Sequence, residues 1–130
     1  MNRDEVFSYI QSQYGICEEY PFDMDDVTAV FRHVGNRKWF AIVMRVSAVK
    51  IGRDTDETVD ILNVKADPVV IGSFLSEKGF HPAYHMNKNH WLTIALDGSA
   101  DDDKTKFLID MSFSATGEKR RRKHADKEHS

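Results

Sequence analysis

A single cysteine, Cys17, is all the thiol this chain has, which excludes an intramolecular disulfide and a cysteine-built zinc site and suits a reducing cytosol. No stretch approaches the roughly 18 consecutive apolar residues of a membrane-spanning helix, and the opening Met1-Asn2-Arg3-Asp4-Glu5 is too acidic for a signal peptide. The expectation is a cytoplasmic protein with no membrane partner. Also missing are a nucleophile elbow, a glycine-rich phosphate loop, an H-E-x-x-H pair and a Cys/His ligand set, so no enzyme, cofactor or metal site is expected. His85 and His90, with Asp97 as an orienting group, are the residues an enzyme reading would recruit. Their five-residue spacing across a turn fits neither one helix face nor one strand face. Asp23-x-Asp25-Asp26 lacks the glycine and the distal glutamate of a calcium loop and reads as a solvated acidic loop. There is no internal repeat or coiled coil.

Acid is absent from one long block. Between Val27 and Arg53 there is no Asp or Glu but there are six cations, Arg32, Arg37, Lys38, Arg45, Lys50 and Arg53. Carboxylates crowd both borders, from Glu18 to Asp26 and from Asp54 to Asp60. The net charge of −3 divides into +3 for residues 118–130 (six Lys/Arg, three Asp/Glu) and −3 − 3 = −6 for residues 1–117. A basic strip on an acidic body still attracts an anion locally, because a docked phosphate feels the field within a Debye length of roughly 8 Å.

What the chain does contain is 41% apolar residues in 130, enough for one core in one domain. Val6, Phe7, Ile10 and Tyr14 repeat at helical spacing and predict a helix over 3–14 stopped by Gly15. Tyr20-Pro21-Phe22 lies in a loop. Residues 28–34 and 38–46 are β-rich, with Gly35-Asn36 as a two-residue hairpin signal. The second of these strands is apolar on both faces, so it is either central and covered twice or meets a partner chain, a second copy in a homodimer being one such partner. Residues 47–57 suit a mobile connection, and 58–65 is the next strand. Asp67-Pro68 starts a helix that Gly79 ends. A short strand near 80–84, a turn over 86–89 and a strand over 90–96 follow. The last helix runs from 100 to 115 with Lys104, Phe107, Leu108, Met111 and Ala115 inward and Asp101, Asp102 and Asp103 in its first turn, where the helix dipole favours them. Residues 118–130, with no apolar side chain but Ala125, predict a disordered basic tail. This order argues for an antiparallel α+β sandwich over residues 1–117.

The densest chemistry lies in Gly79 to Leu92, which holds three of the six histidines, one of the two tryptophans, Tyr84, Lys88 and two asparagines. Pro82-Ala83-Tyr84-His85-Met86-Asn87-Lys88-x-His90-Trp91 and Asp97-Gly98, preceded by Tyr20-Pro21-Phe22 and Asn63-Val64-Lys65-Ala66-Asp67-Pro68, resemble the signature of the MmcQ/YjbR family of small bacterial proteins. The resemblance spans roughly residues 1–117. It implies a frataxin-like (CyaY-like) α+β fold, an antiparallel sheet with two to three helices packed on one face and two hairpin wings. It also implies a non-catalytic role in binding DNA, most naturally duplex. Nucleic-acid binding needs cations for phosphates and amides or aromatics for bases. The candidates are Arg37, Lys38, Arg45, Lys65, His85, Asn87, Lys88, His90 and Trp91. Three other readings stand beside it. In one, Tyr84, Met86 and Trp91 only pack and the polar groups cap the turn. In another, the same turn serves a protein- or small-ligand-binding module. The third, by fold analogy, is iron binding by the acidic clusters at 18–26 and 54–60.

Overall fold

A computed structural model describes residues 1–117; the expected tail 118–130 lies outside the described residues. Helix α1 (Arg3–Tyr14) begins where Asn2 and Glu5 exchange side-chain and backbone bonds in a capping box and stops at Gly15, whose φ of 70° only glycine adopts freely. Strands β1 (Ala29–Arg32), β2 (Trp39–Ser47) and β3 (Thr58–Lys65) follow, then α2 (Pro68–Phe74), β4 (Phe80–Pro82), β5 (Trp91–Ala95) and α3 (Asp102–Thr116). The sheet has five strands in the order β1-β2-β3-β5-β4, each pair antiparallel. This is the expected α+β fold.

The ladder registers assign the two faces. Ala41, Val43, Leu62, Val64, Leu92 and Ile94 fall on one face and join Val6 and Ile10 of α1, Ile71 of α2 and Leu108 and Ile109 of α3 in one core. All three helices therefore pack on that side. On the other face Val46, Val59, Ile61 and Ala95 are covered by Ala48 and Ile51 and flanked by Met44 and Tyr84. The apolar strand β2 is thus covered twice within one chain. Ala48 and Ile51 belong to a 3₁₀ turn, Ala48–Ile51, in the segment expected to be a mobile connection; burying these two side chains is what orders it.

A bulge explains how β2 serves both faces. Phe31 pairs with Ala41 but Arg32 pairs with Trp39, so Phe40 is skipped. The extra residue lets Phe40 join Ala41 in the helix-side core. The Phe40 carbonyl accepts from the Ser112 hydroxyl of α3 (2.6 Å), and the Ser112 oxygen in turn accepts from the Lys65 amide (2.9 Å).

Several details differ from expectation. The β1–β2 loop takes residues 34–37, closed by the His33 N–H, which donates to the Lys38 carbonyl, and by Arg37 at φ 63°. Within this four-residue loop Asn36 Nδ2 donates to Thr116 C=O (2.8 Å). Helix α2 ends at Phe74, short of Gly79. Gly79 serves instead as a close-approach point: at φ 91°, a Cβ there would lie 2.5 Å from the Ala100 nitrogen. The inward stripe of α3 is Thr105, Leu108, Ile109, Ser112 and Thr116, while Lys104, Phe107 and Ala115 are exposed. Buried hydroxyls shift the stripe, each with a backbone carbonyl to bond. The helix starts later than expected because Asp101 caps it, accepting from Lys104 N–H (3.0 Å).

Candidate functional site

The registers bring both hairpin ends together. Trp39 begins β2, Lys65 ends β3 and Trp91 begins β5, and Lys65 pairs with Trp91. The β1–β2 loop (34–37) and the β4–β5 loop (83–90) therefore rise from the same end of the sheet. Alternation puts Trp39, Lys65 and Trp91 on the face that carries no helix, with Lys65 on the strand between the two tryptophans.

The 83–90 loop is tied down onto this face by polar groups. Tyr84 N–H donates to Thr93 Oγ1 (2.9 Å) and Asn63 Nδ2 donates to Tyr84 C=O (3.0 Å). Thr93 Oγ1 closes the set by donating to Asn63 Oδ1, and both side chains are fully buried. Asn87 organises the tip: its Oδ1 accepts from Asn89 N–H (2.8 Å) and its C=O from the His90 and Trp91 amides. Lys88 Nζ donates to Ala83 C=O (2.8 Å). Turn-capping thus accounts for Asn87 and Lys88, and packing for Tyr84. His85, at φ 59°, sets its ring edge-on to Tyr84 at 4.1 Å and is exposed, as is His90, while Trp91 is half-buried.

Of the other candidates, Arg37 and Lys38 are exposed on the 34–38 tip, and Lys65 is half-buried with an ammonium that has no partner among the described residues. Arg45 is displaced from the group. It bonds Asp60 (2.9 Å), five residues before Lys65 on β3, roughly 17 Å along the strand. Ion pairing also engages two more of the six cations in the acid-free block: Arg32 with Glu19 (2.6 Å) and Arg53 with Asp97. Hydrogen bonds from Arg32 hold the Glu19 carboxyl below its ordinary range against burial, helped by the charges of Arg32 and Arg37. Asp25 accepts from the Val27 and Thr28 amides, and Asp60 also meets Arg3. Three of the nine border carboxylates, Glu19, Asp25 and Asp60, are thus used for capping or pairing. No cluster of three or more His, Cys, Asp or Glu placed to hold a metal occurs among the described residues.

Sequence reasoning misses Asn63, Thr93 and Ser112, which hold the site's strands and loop. It also misses the role of the Tyr20 to Met24 loop, whose Phe22 meets Trp39 edge-on at 6.2 Å. Buried polar residues inside apolar strands are the available signal for the first two. Among the described residues no helix is long and apolar enough to cross a membrane.

The chain is 32% identical over 116 residues to protein YyaQ of Bacillus subtilis (strain 168), covering 89% of this chain and 98% of that one. A 32-residue segment is 47% identical to protein YjbR of Escherichia coli (strain K12), covering 25% of this chain and 27% of that one. A crystal structure of a Pseudomonas syringae protein superposes with a TM-score of 0.87 at 39% identity, over 90% of this chain and all of that chain. A Deinococcus radiodurans protein superposes at 0.63 with 25% identity, over 86% and 75%. The YjbR family model matches residues 11–115, and with that extent of match the chain belongs to the YjbR family.

Proposed function

We propose that this protein binds nucleic acid, duplex DNA in the first instance, through its two hairpin ends and without chemistry. One observation carries the reading: the strand registers bring both tips, with Lys65 between them, to one end of the sheet. The hairpin midlines are three strand spacings apart, roughly 14 Å, close to the ~12 Å width of a major groove. Arg37 and Lys38 on one tip and His85 and His90 on the other then face the two phosphate backbones, with Lys65 and the indoles of Trp39 and Trp91 between them. Because residues 1–117 carry −6, binding relies on this local field and weakens steeply with salt.

A second reading, a protein-binding module, draws on the neighbouring loop. Tyr20 and Phe22 are 44% and 48% exposed, Phe22 against Trp39, and Met24 is fully exposed, while Asp23 and Asp26 on the same loop repel phosphate. A salt titration against a duplex decides between them, using the full chain and one ending at Gly117. The DNA reading expects the shorter chain to retain affinity, with a log–log salt slope of about −2 to −4 for a few phosphate contacts. Loss of all binding with residues 118–130 overturns it and leaves the aromatic loop as the better candidate.

A further inference from the structure

The end of the sheet opposite the hairpin tips carries a concavity of about 780 Å³. Its walls come from three separated segments: Arg53 after the 3₁₀ turn, Leu75 to His81 leading from the end of α2 into and along β4, and Asp97 to Ser99 after β5. Gly79, on its lining, approaches Ala100 so closely that no Cβ fits there. The charges on its walls are unequally committed. Asp97 accepts from Arg53, from Ser99 N–H (3.0 Å) and from Ser99 Oγ (2.6 Å), and Glu77 accepts from Lys104. Both carboxylates are therefore satisfied by cations and hydroxyls. Among the donors, Arg53 Nη2 has only a long 3.5 Å approach to Ser99 Oγ, and Lys78 has no partner among the described residues. His81 Nε2 is buried with no hydrogen-bond partner among the described residues. Arg53 and Lys78 equal Glu77 and Asp97 in formal charge on these walls, but with both carboxylates already satisfied the uncommitted groups are cationic, Arg53 Nη2 and Lys78, the complement of an oxyanion.

We propose that this pocket is a binding site for a small oxyanion, a carboxylate or phosphate group, held by Arg53 and Lys78. The guanidinium is oriented for it: Asp97 grips Nη1 and leaves Nη2 turned to Ser99. Lys78 adds a point charge from the other wall. His81 faces Arg53 and Asp97 from two elements, with Glu77 and Lys78 on the approach to its own strand and Lys104 behind Glu77. With no anion bound it stays neutral, since burial and the Arg53 charge hold its pKa below the ordinary value against Asp97. A bound oxyanion offsets Arg53, so occupancy raises that pKa.

The site is independent of the nucleic-acid reading because it lies at the other end of the sheet. The test is an amide NMR titration of the full chain with inorganic phosphate, with acetate, and with a DNA duplex, each against sodium chloride at matched ionic strength. Phosphate or acetate is expected to give saturating shifts at Gly79, Gly98 and Ser99 and to move the His81 ring titration upward. Lys78→Gln, which breaks no hydrogen bond or ion pair among the described residues, is expected to weaken binding about tenfold, the size of one charge-assisted bond; Arg53→Gln is expected to abolish it. Shifts that never saturate, or that persist unchanged in Lys78→Gln, overturn the proposal. So does a response of these amides to the duplex alone, which would assign the pocket to a nucleic-acid phosphate.

Discussion

Asn63 shows how much one side chain decides here. It sits in the middle of β3, wholly buried, and holds Tyr84 and Thr93 from two other segments. Asn63→Ala leaves the Tyr84 carbonyl and the Thr93 hydroxyl without their partner. Urea unfolding should register a destabilisation of about 2–4 kcal/mol, the sum of orphaned polar groups and vacated volume. Asp97 makes a different prediction. Burial alone would raise its pKa, but hydrogen bonds from Arg53 and Ser99 outweigh that and bring it down to about 2. A carboxyl with a depressed folded pKa contributes stability that is complete above the unfolded value of about 4 and is lost as pH falls toward 2. Stability measured from pH 4 to pH 2 should therefore fall less steeply in Asp97→Asn than in the parent. The same sign holds for His81 at higher pH: its lowered pKa means stability declines as pH drops below about 6.5.

Among the elements, those announced by their ends are legible in the sequence. Gly15 and Asp67-Pro68 mark ends whose chemistry is local, and the β-rich run 58–65 is the strand its pattern predicts. What is illegible depends on distant partners. The Phe40 bulge exists only relative to β1, and the α3 stripe turns on Ser112, which bonds a strand 72 residues away. The candidate site is legible as residue types but not as geometry, since Arg45 and Lys65 look alike until β3 separates them. Ser112→Ala tests the bulge: the Phe40 carbonyl and Lys65 amide lose their shared partner, and thermal unfolding should show a cost of about 2–4 kcal/mol. Gly79→Ala should cost at least about 3 kcal/mol in the same measurement, because left-handed backbone strain and the clash with Ala100 act together.

At the scale of the whole molecule, one face of the sheet is committed to helices and the other is left for loops and cations. Lys65→Ala separates function from fold at that open face. It should leave the melting temperature within about a degree or two while flattening the salt slope of duplex binding by about 1, because one fewer phosphate is neutralised and one fewer counterion released. An unchanged slope in that variant would remove Lys65 from the interface. The outer strands of the same sheet have another consequence. On β1, Val30 already exchanges both backbone bonds with Glu19 of the same chain. On the far side β4 is three residues long and ends in Pro82, which has no amide proton to offer. Neither border presents a template on which a further strand can grow, so fibrillar self-association is blocked at the backbone, and concentrated folded protein should give no thioflavin signal.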